Sequence, residues 1–337
     1  MTDTTETDLN SGVECFTFGG DESVLDGPRF MQFIETWHNN QWYEPPVQPK
    51  NLSRLLNVTP HHRSAIALKV NILCETYIEH PLLPVDEFEK FALDYIVQAN
   101  AYLERVDAVS GRPMGLRHAL AQQVRKGLMA GQFYFLGDDG EAHEFRRGAV
   151  FHLKQNDVAQ EIYGLPEYLA ALQSALLNEA ATLFRRRYYI NGAHAGFLMY
   201  VSTSGMHNTD VDALRDAVKK SRGVGNFKNM FMHIPGGSDK GVQIIPISEV
   251  AAKDEFFNIK NITRDDVLAA HRTPPQMMGV IPANAGGFGD VTKADAVFYA
   301  REIKPIQRKL MGLNRWLGQD VIRFEDYTPV GGTPASG

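Results

Sequence analysis

Cysteine is scarce in this sequence: Cys15 and Cys74 are the two in 337 residues. One lies in a polar end segment and the other in a helical pattern. A disulfide framework is therefore not expected, and synthesis in a reducing cytoplasm is. Long apolar runs are lacking as well. Stretches such as Phe197 to Val201 fall far short of the ~18 residues that a membrane helix needs, so a transmembrane protein is excluded. No basic segment leads into an apolar core at the N-terminus, so no secretory signal is read. Cations are missing from residues 1–26, which hold Asp3, Glu6, Asp8, Glu14, Asp21, Glu22 and Asp26 but no Lys or Arg. Setting these seven apart from the 40 acids leaves 33 against 34 bases. A tight, static nucleic-acid binder usually carries a strongly basic face. A body this balanced reads as a non-binder, or as a protein that tolerates DNA without gripping it.

What is present is an ordinary globular mix, 44% hydrophobic and 22% charged, which excludes wholesale disorder and a coiled-coil rod. Residues 28–38 read as a short helix, and Tyr43 to Pro49, with three prolines, as an extended connector. Thr59-Pro60 opens a helix with Ile66, Val70, Leu73 and Tyr77 on its buried face. Asp86, with Glu89 three residues on, caps the next helix, striped by Phe88, Phe91, Tyr95 and Ile96. Residues 101–107 either extend that helix or form a strand. Gln132 to Leu136, Glu144 to Arg147 and Ala149 to Leu153 read as an antiparallel meander, with a turn at Gly137-Asp138-Asp139-Gly140. Leu165-Pro166 begins a long helix whose last turns hold Arg185, Arg186 and Arg187. The helix dipole explains those cations better than contact with DNA does.

Phe197 to Val201 is a strand, and 208–222 a helix. Asn226 to Ile234 and Val242 to Ile247 read as a hairpin around Pro235-Gly236-Gly237-Ser238. Residues 252–272 make one helix or two, since Thr263 and Asp266 could cap a second start. A Gly-rich loop over 283–290 precedes a final helix capped by Thr292 or Asp290, in which Pro305 predicts a kink. Ile322 and Phe324 suggest a last strand. Strands and helices in separate runs point to an α+β fold.

Catalytic signatures are missing. There is no Gly-x-x-x-x-Gly-Lys-Ser/Thr, no Gly-x-Ser-x-Gly, no metal-site spacing after His143-Glu144 and no CxxC. His61-His62 reads as surface capping rather than a metal pair. Asp265-Asp266 and Asp210/Asp212 read as helix-start acids. Neither a catalytic residue, nor a metal, nor a cofactor is expected, and the chain is read as no enzyme.

The ordered segments that remain carry a resemblance. Trp42-Tyr43-Glu44-Pro45-Pro46, Asn100-Ala101-Tyr102-Leu103-Glu104, Gln160 to Tyr168, Tyr188 to Gly192, Asp266 to Arg272, Pro274-Pro275-Gln276 and Gly286-Gly287-Phe288-Gly289-Asp290 are among them. Over residues 28–327 the sequence resembles the portal proteins of tailed bacteriophages, of the PBSX type found in contractile-tailed temperate phages. Ala99 departs from that pattern, which expects Gly before Asn-Ala-Tyr.

The resemblance implies a homo-oligomeric ring, usually of twelve copies, at one capsid vertex of the virion. Double-stranded DNA is packaged through it by terminase (large subunit) and leaves through it into the tail. Major capsid, scaffold and neck or head-completion proteins are the implied further partners, and no membrane is involved. It further implies a disordered acidic tail at 1–27, a wing at 28–207, and stem helices at 208–273 with a β clip at 224–247. A tunnel-loop region at 274–291, a kinked channel helix with a short crown at 292–327 and a flexible tail at 328–337 complete the map. Asn284, Gly286, Gly287, Phe288, Gly289 and Asp290 would line the DNA channel. Asn226, Phe227, Lys228, Asn229, Gly236, Gly237 and Lys240 would face terminase, and Lys219, Lys220 and Arg222 are candidate phosphate contacts. Two competing readings are an enzyme with an unlisted site and a head–neck adaptor ring that never touches DNA.

Overall fold

The computed structural model describes residues 38–137, 140–190, 197–201, 242–246, 252–280 and 290–329. Eight helices carry the described part: α1 (Pro49–Leu55), α2 (Pro60–Thr76), α3 (Val85–Gln98), α4 (Leu172–Ile190), α5 (Ala252–Ala270), α6 (Val291–Phe298), α7 (Lys304–Leu310) and α8 (Gly312–Leu317). None of the described helices is long and apolar enough to cross a membrane.

Helix α2 starts as its sequence requires. The Thr59 hydroxyl accepts the His62 backbone N–H at 3.1 Å, and Pro60 occupies the first position, where no N–H is needed. Ile66, Val70 and Leu73 are buried along one face. Helix α3 differs from expectation at its start. It begins at Val85 behind Pro84, with no side-chain cap; Asp86 and Glu87 lie in its first turn, where their charge meets the free N–H groups. It ends abruptly because Ala99 adopts a left-handed φ of 55°. That reversal resolves the ambiguity over 101–107: the chain turns off the helix into strand β3 (Asn100–Asp107).

β3 is the central strand of an antiparallel sheet between β4 (Pro113–Ala119) and β8 (Val150–Lys154). A second antiparallel sheet runs in the order β1 (Trp42–Tyr43), β5 (Val124–Gly127), β6 (Phe133–Leu136), β7 (Ala142–Glu144). The expected meander is present only in part: β6 pairs with β7, which lies at Ala142–Glu144 rather than Glu144 to Arg147, while β8 leaves it to pair with β3 in the other sheet. The architecture is α+β. The largest core joins Leu73 of α2, Phe88 and Phe91 of α3 and Leu103 of β3 to Ile303, Ile306, Leu310 and Leu313 of the C-terminal helical run. Each such side chain removed from water contributes about 1.5–3 kcal/mol. β2 (Tyr77–Ile78) then pairs with β11 (Arg323–Phe324), fastening the last strand to the end of α2.

Three further points sharpen or correct the sequence reading. Residues 252–270 form one helix, so Asp265 and Asp266 stand in its last turns, not at a start. The Thr263 hydroxyl does not cap: it bonds back to the Ile259 carbonyl at 2.6 Å and accepts from the Asn178 amide of α4 at 2.7 Å. Pro305 leaves its mark as a π turn over Tyr299–Ile303, just before it. A proline lacks the N–H and crowds the preceding turn, and a widened turn relieves both. β10 (Val242–Pro246) is a strand, but the partner it shows is β9 (Phe197–Val201), antiparallel, with Val242 opposite Val201. Its expected partner, 226–234, lies outside the described residues.

Candidate functional site

Of the channel candidates, Asn284, Gly286, Gly287, Phe288 and Gly289 lie outside the described residues. So do Asn226, Phe227, Lys228, Asn229, Gly236, Gly237 and Lys240, and so do Lys219, Lys220 and Arg222. Asp290 is described. It caps α6, accepting the Lys293 backbone N–H at 3.0 Å and pairing with the Lys293 ammonium at 3.0 Å. Those two contacts hold its carboxyl below the usual carboxylate range.

The structure therefore shows how the Gly-rich segment is held at both ends. On the leading side, a single turn over Pro275–Met278 closes on Gly279, whose left-handed φ of 67° ends it. The Val280 N–H returns to the Pro275 carbonyl at 3.1 Å. On the trailing side stands Asp290, at the head of α6. The 275–278 turn packs against α6, so the described residues on either side of 281–289 lie together.

Behind that place lies a polar junction, where the C-terminal end of α5 meets α2, the turn over Glu167–Ala171 and the π turn. Arg272 closes α5 in a left-handed conformation, φ 53°, which a side chain rarely adopts without compensation. Its guanidinium provides it, bonding Glu302 at 3.1 Å and also Glu167. The two carboxylates raise its pKa above the usual arginine value, Glu167 contributing most. Glu302 is shared: its other oxygen accepts from the Lys69 ammonium of α2 at 2.6 Å. Both side chains are nearly dry, 7% and 9% exposed. Burial pulls Lys69 below the usual lysine value, and Glu302 works against that shift. A pair this dry stands only because each ion is bonded.

The second element of the junction is a pair of imidazoles. His62 Nδ1 lies 2.8 Å from His271 Nε2, and the Tyr168 ring packs on both. Burial drives His62 down to about 4 and His271 to about 2, with the nearby Lys69 charge adding to both shifts. His62 Nε2 has no hydrogen-bond partner. The expectation of a surface His61-His62 pair is thus corrected. The third position of α2 faces inward onto α5, and only the His62 backbone N–H serves the cap. No sequence pattern could have joined residues 209 positions apart; Lys69, on the buried face of an amphipathic helix, was the one local signal of an ionic partner.

Among the described residues no group of three or more His, Cys, Asp or Glu could hold a metal ion. A groove lined by Glu104, Arg117, His118, His143, Glu144 and Arg146 encloses about 430 Å³. Its His118 is already engaged by Asp94 at 2.8 Å, and Asp94 also accepts the Ala121 N–H at 2.7 Å, an arrangement that braces α3 against the sheet.

Comparisons with known proteins bear on the whole chain. The profile of the family described as “Phage portal protein” matches residues 82–328. The “Probable portal protein” of Escherichia phage P2 is 46% identical over 316 residues, covering 94% of this chain and 92% of its own length. That of Haemophilus phage HP1 (strain HP1c1) is 34% identical over 274 residues, covering 80% and 79%. Among solved structures, a chain of the neck of a native gene transfer agent particle, computed with C12 symmetry, aligns with a TM-score of 0.58 at 18% identity, over 85% of this chain and 86% of its own. The HK97-family phage portal protein from Corynebacterium diphtheriae aligns with a TM-score of 0.57 at 14% identity, over 81% and 94%. At such identities the structures establish the fold alone, while the sequence matches establish the lineage: this chain belongs to the phage portal protein family.

Proposed function

We propose that twelve copies of this chain close into a ring at a capsid vertex. Its bore carries double-stranded DNA inward during packaging by the terminase large subunit and outward into the tail at ejection. The observation that supports this most is the 46% identity with the phage P2 protein along nearly the full length of both. The same ring is the platform on which neck proteins meet the capsid and its scaffold, and it performs no chemistry of its own.

The amino-acid sequence is suited to a conduit. Fixed charge-assisted contacts to phosphate are strong and directional, so a gripping lining would stall the duplex. Residues 283–289 contain no Lys or Arg. Twelve-fold symmetry also mismatches a duplex of ~10–10.5 base pairs per turn, so no rotation engages every subunit together. In this reading Asn284 to Asp290 line the bore, Asn226 to Asn229 with Gly236, Gly237 and Lys240 face terminase, and Lys219, Lys220 and Arg222 meet phosphates.

Purified protein should sediment as twelve copies of 37.7 kDa, roughly 450 kDa, and end-on electron micrographs should show a ring with a bore slightly wider than a duplex. A protein that stays monomeric inside assembled heads would overturn the reading. Phe288→Ala should alter packaging or DNA retention; normal values for both would remove Phe288 from the channel wall.

A further inference from the structure

The C-terminal helical run has two unlike faces. Phe298, Glu302, Ile303, Ile306, Gln307, Leu310 and Leu313 are buried against the body. Arg301, Lys304, Arg308 and Arg315 are exposed, and their separations of three, four and seven residues place them in one stripe. The acids between Lys293 and Arg315 are Asp295 and Glu302, and both are buried. None of the four cations forms an ion pair among the described residues. Like charges one turn apart repel, so this row is unfavourable in an isolated subunit.

The same chain carries an acidic counterpart elsewhere. Glu75 at the end of α2, Glu79 after β2, Glu89 on α3, and Glu325 and Asp326 after β11 are all exposed. Pairing of β2 with β11 gathers most of them, and the Glu325 N–H bonds the Thr76 carbonyl at 2.8 Å. Arg323 is the cation that stands among them. This edge adjoins the inward side of α6, because Tyr327 next to Asp326 bonds Asp295 at 2.9 Å. The cationic stripe follows the outward side of the same helical run. The two charged surfaces thus stand on separate segments, the stripe on 301–315 and the edge on α3 and the ends of α2, β2 and β11.

We propose that the Arg301–Lys304–Arg308–Arg315 stripe of one copy docks on the Glu75–Glu79–Glu89–Glu325–Asp326 edge of the next. A two-fold contact centred on either surface would set stripe against stripe, or acid against acid. Opposite charges on separate surfaces instead suit a head-to-tail contact, which repeats and closes into a ring. Val297 and Met311, 61% and 41% exposed, lie on the basic face, and Val85, 37% exposed, stands beside Glu79. Apolar side chains among the charges suit a protein surface better than a phosphate backbone. This inference rests on the ring proposed above and names the surface that builds it.

The test uses charge exchange on the full chain. The triple variant Arg301→Glu, Lys304→Glu, Arg308→Glu should lower the ring fraction in sedimentation velocity about tenfold, and so should Glu75→Lys, Glu79→Lys, Glu325→Lys, Asp326→Lys. An equimolar mixture of the two should restore rings, because each stripe then meets an opposite edge. Misfolding could not be rescued this way. Rings formed normally by the first variant alone, or no recovery in the mixture, would overturn the inference. Unchanged rings with weakened gel-shift binding of duplex DNA would also overturn it, by making the stripe a nucleic-acid surface. As a milder probe, Arg308→Ala should lower the NaCl concentration at which rings dissociate; an unchanged midpoint counts against the contact. Wild-type protein that forms no ring would instead refute the functional proposal itself, before any variant is compared.

Discussion

The two halves of the described body are held by different physics. Helix α3 and the sheet around β3 are joined by Phe88, Phe91, Leu103 and Leu116, which are nearly all dry and uncharged. The junction behind the Gly-rich segment is joined by Lys69, Glu302, His62 and His271, which are dry and ionisable, and is closed from the surface by the exposed Arg272. Apolar burial depends little on protons or salt, whereas buried ions and imidazoles hold only while each keeps its protonation state and partner. The part that leads toward 281–289 is thus the part whose stability can be set by solution conditions.

The largest expected effect breaks the junction ionically. Lys69→Ala removes one partner of a dry pair and should cost about 3–5 kcal/mol in urea unfolding. Lys69→Met should cost clearly less, because it refills the space and Glu302 keeps Arg272. Leu103→Ala, in the apolar half, should cost about 2–5 kcal/mol through its cavity. If Lys69→Met is as damaging as Lys69→Ala, the loss of the cation beside Glu302, and not the loss of packing volume, sets the cost.

Next in size is the response to pH. His62 and His271 have folded values of about 4 and about 2, below the ordinary 6.5, so the folded state binds fewer protons than the unfolded chain. Their stability contribution is complete above pH 6.5 and is lost as pH falls from 6.5 toward 4. His61, lowered by burial and then by Arg264 and Lys260, acts with the same sign. So does His152 of β8, which burial lowers to about 3. A His62→Gln/His271→Gln variant should therefore flatten the acid limb of stability against pH without abolishing it. Each removed group lowers the slope by at most about 1.4 kcal/mol per pH unit. Slopes that match wild type between pH 6.5 and 4 would mean that the pair is not neutral when folded.

The apolar half was legible from the sequence, because its signals are local. Periodicity marked the inner face of α2, an aromatic run marked β6, and Asp290, with Thr292 as the alternative, marked the start of α6. The π turn was foreseen as a kink at Pro305. The junction was not legible. Its contacts join α2 to residues more than 200 positions away, and a lone His or Lys on a helix does not name its partner. The pairing of β10 with β9 was not legible for a related reason: a short apolar strand accepts any neighbour with matching alternation, and pattern alone does not name it. Resemblance to a family supplied the function that no local motif carried.

The smallest expected effect concerns Ala99, one departure from the pattern that the resemblance implies. Ala99 holds φ 55° where glycine was expected, and it is 2% exposed. Left-handed backbone costs an alanine roughly 1–2 kcal/mol, so Ala99→Gly gains by relieving it. The substitution also gives up a buried methyl worth about 0.8 kcal/mol, and the freer unfolded chain costs a further ~0.5–1 kcal/mol. The terms nearly cancel, and Ala99→Gly should change stability by less than about 1 kcal/mol in either direction. The neighbouring turn has no such latitude: a Cβ on Gly164 would lie 2.3 Å from the Ala99 carbonyl oxygen and 2.6 Å from the Gln155 backbone. Gly164→Ala must therefore displace main chain at the start of β3 and at the end of β8. If urea unfolding finds Ala99→Gly strongly stabilising, the methyl contributes nothing to packing and alanine at this position is a simple cost. If it is strongly destabilising, the methyl is a packed core contact and outweighs the strain of its own backbone.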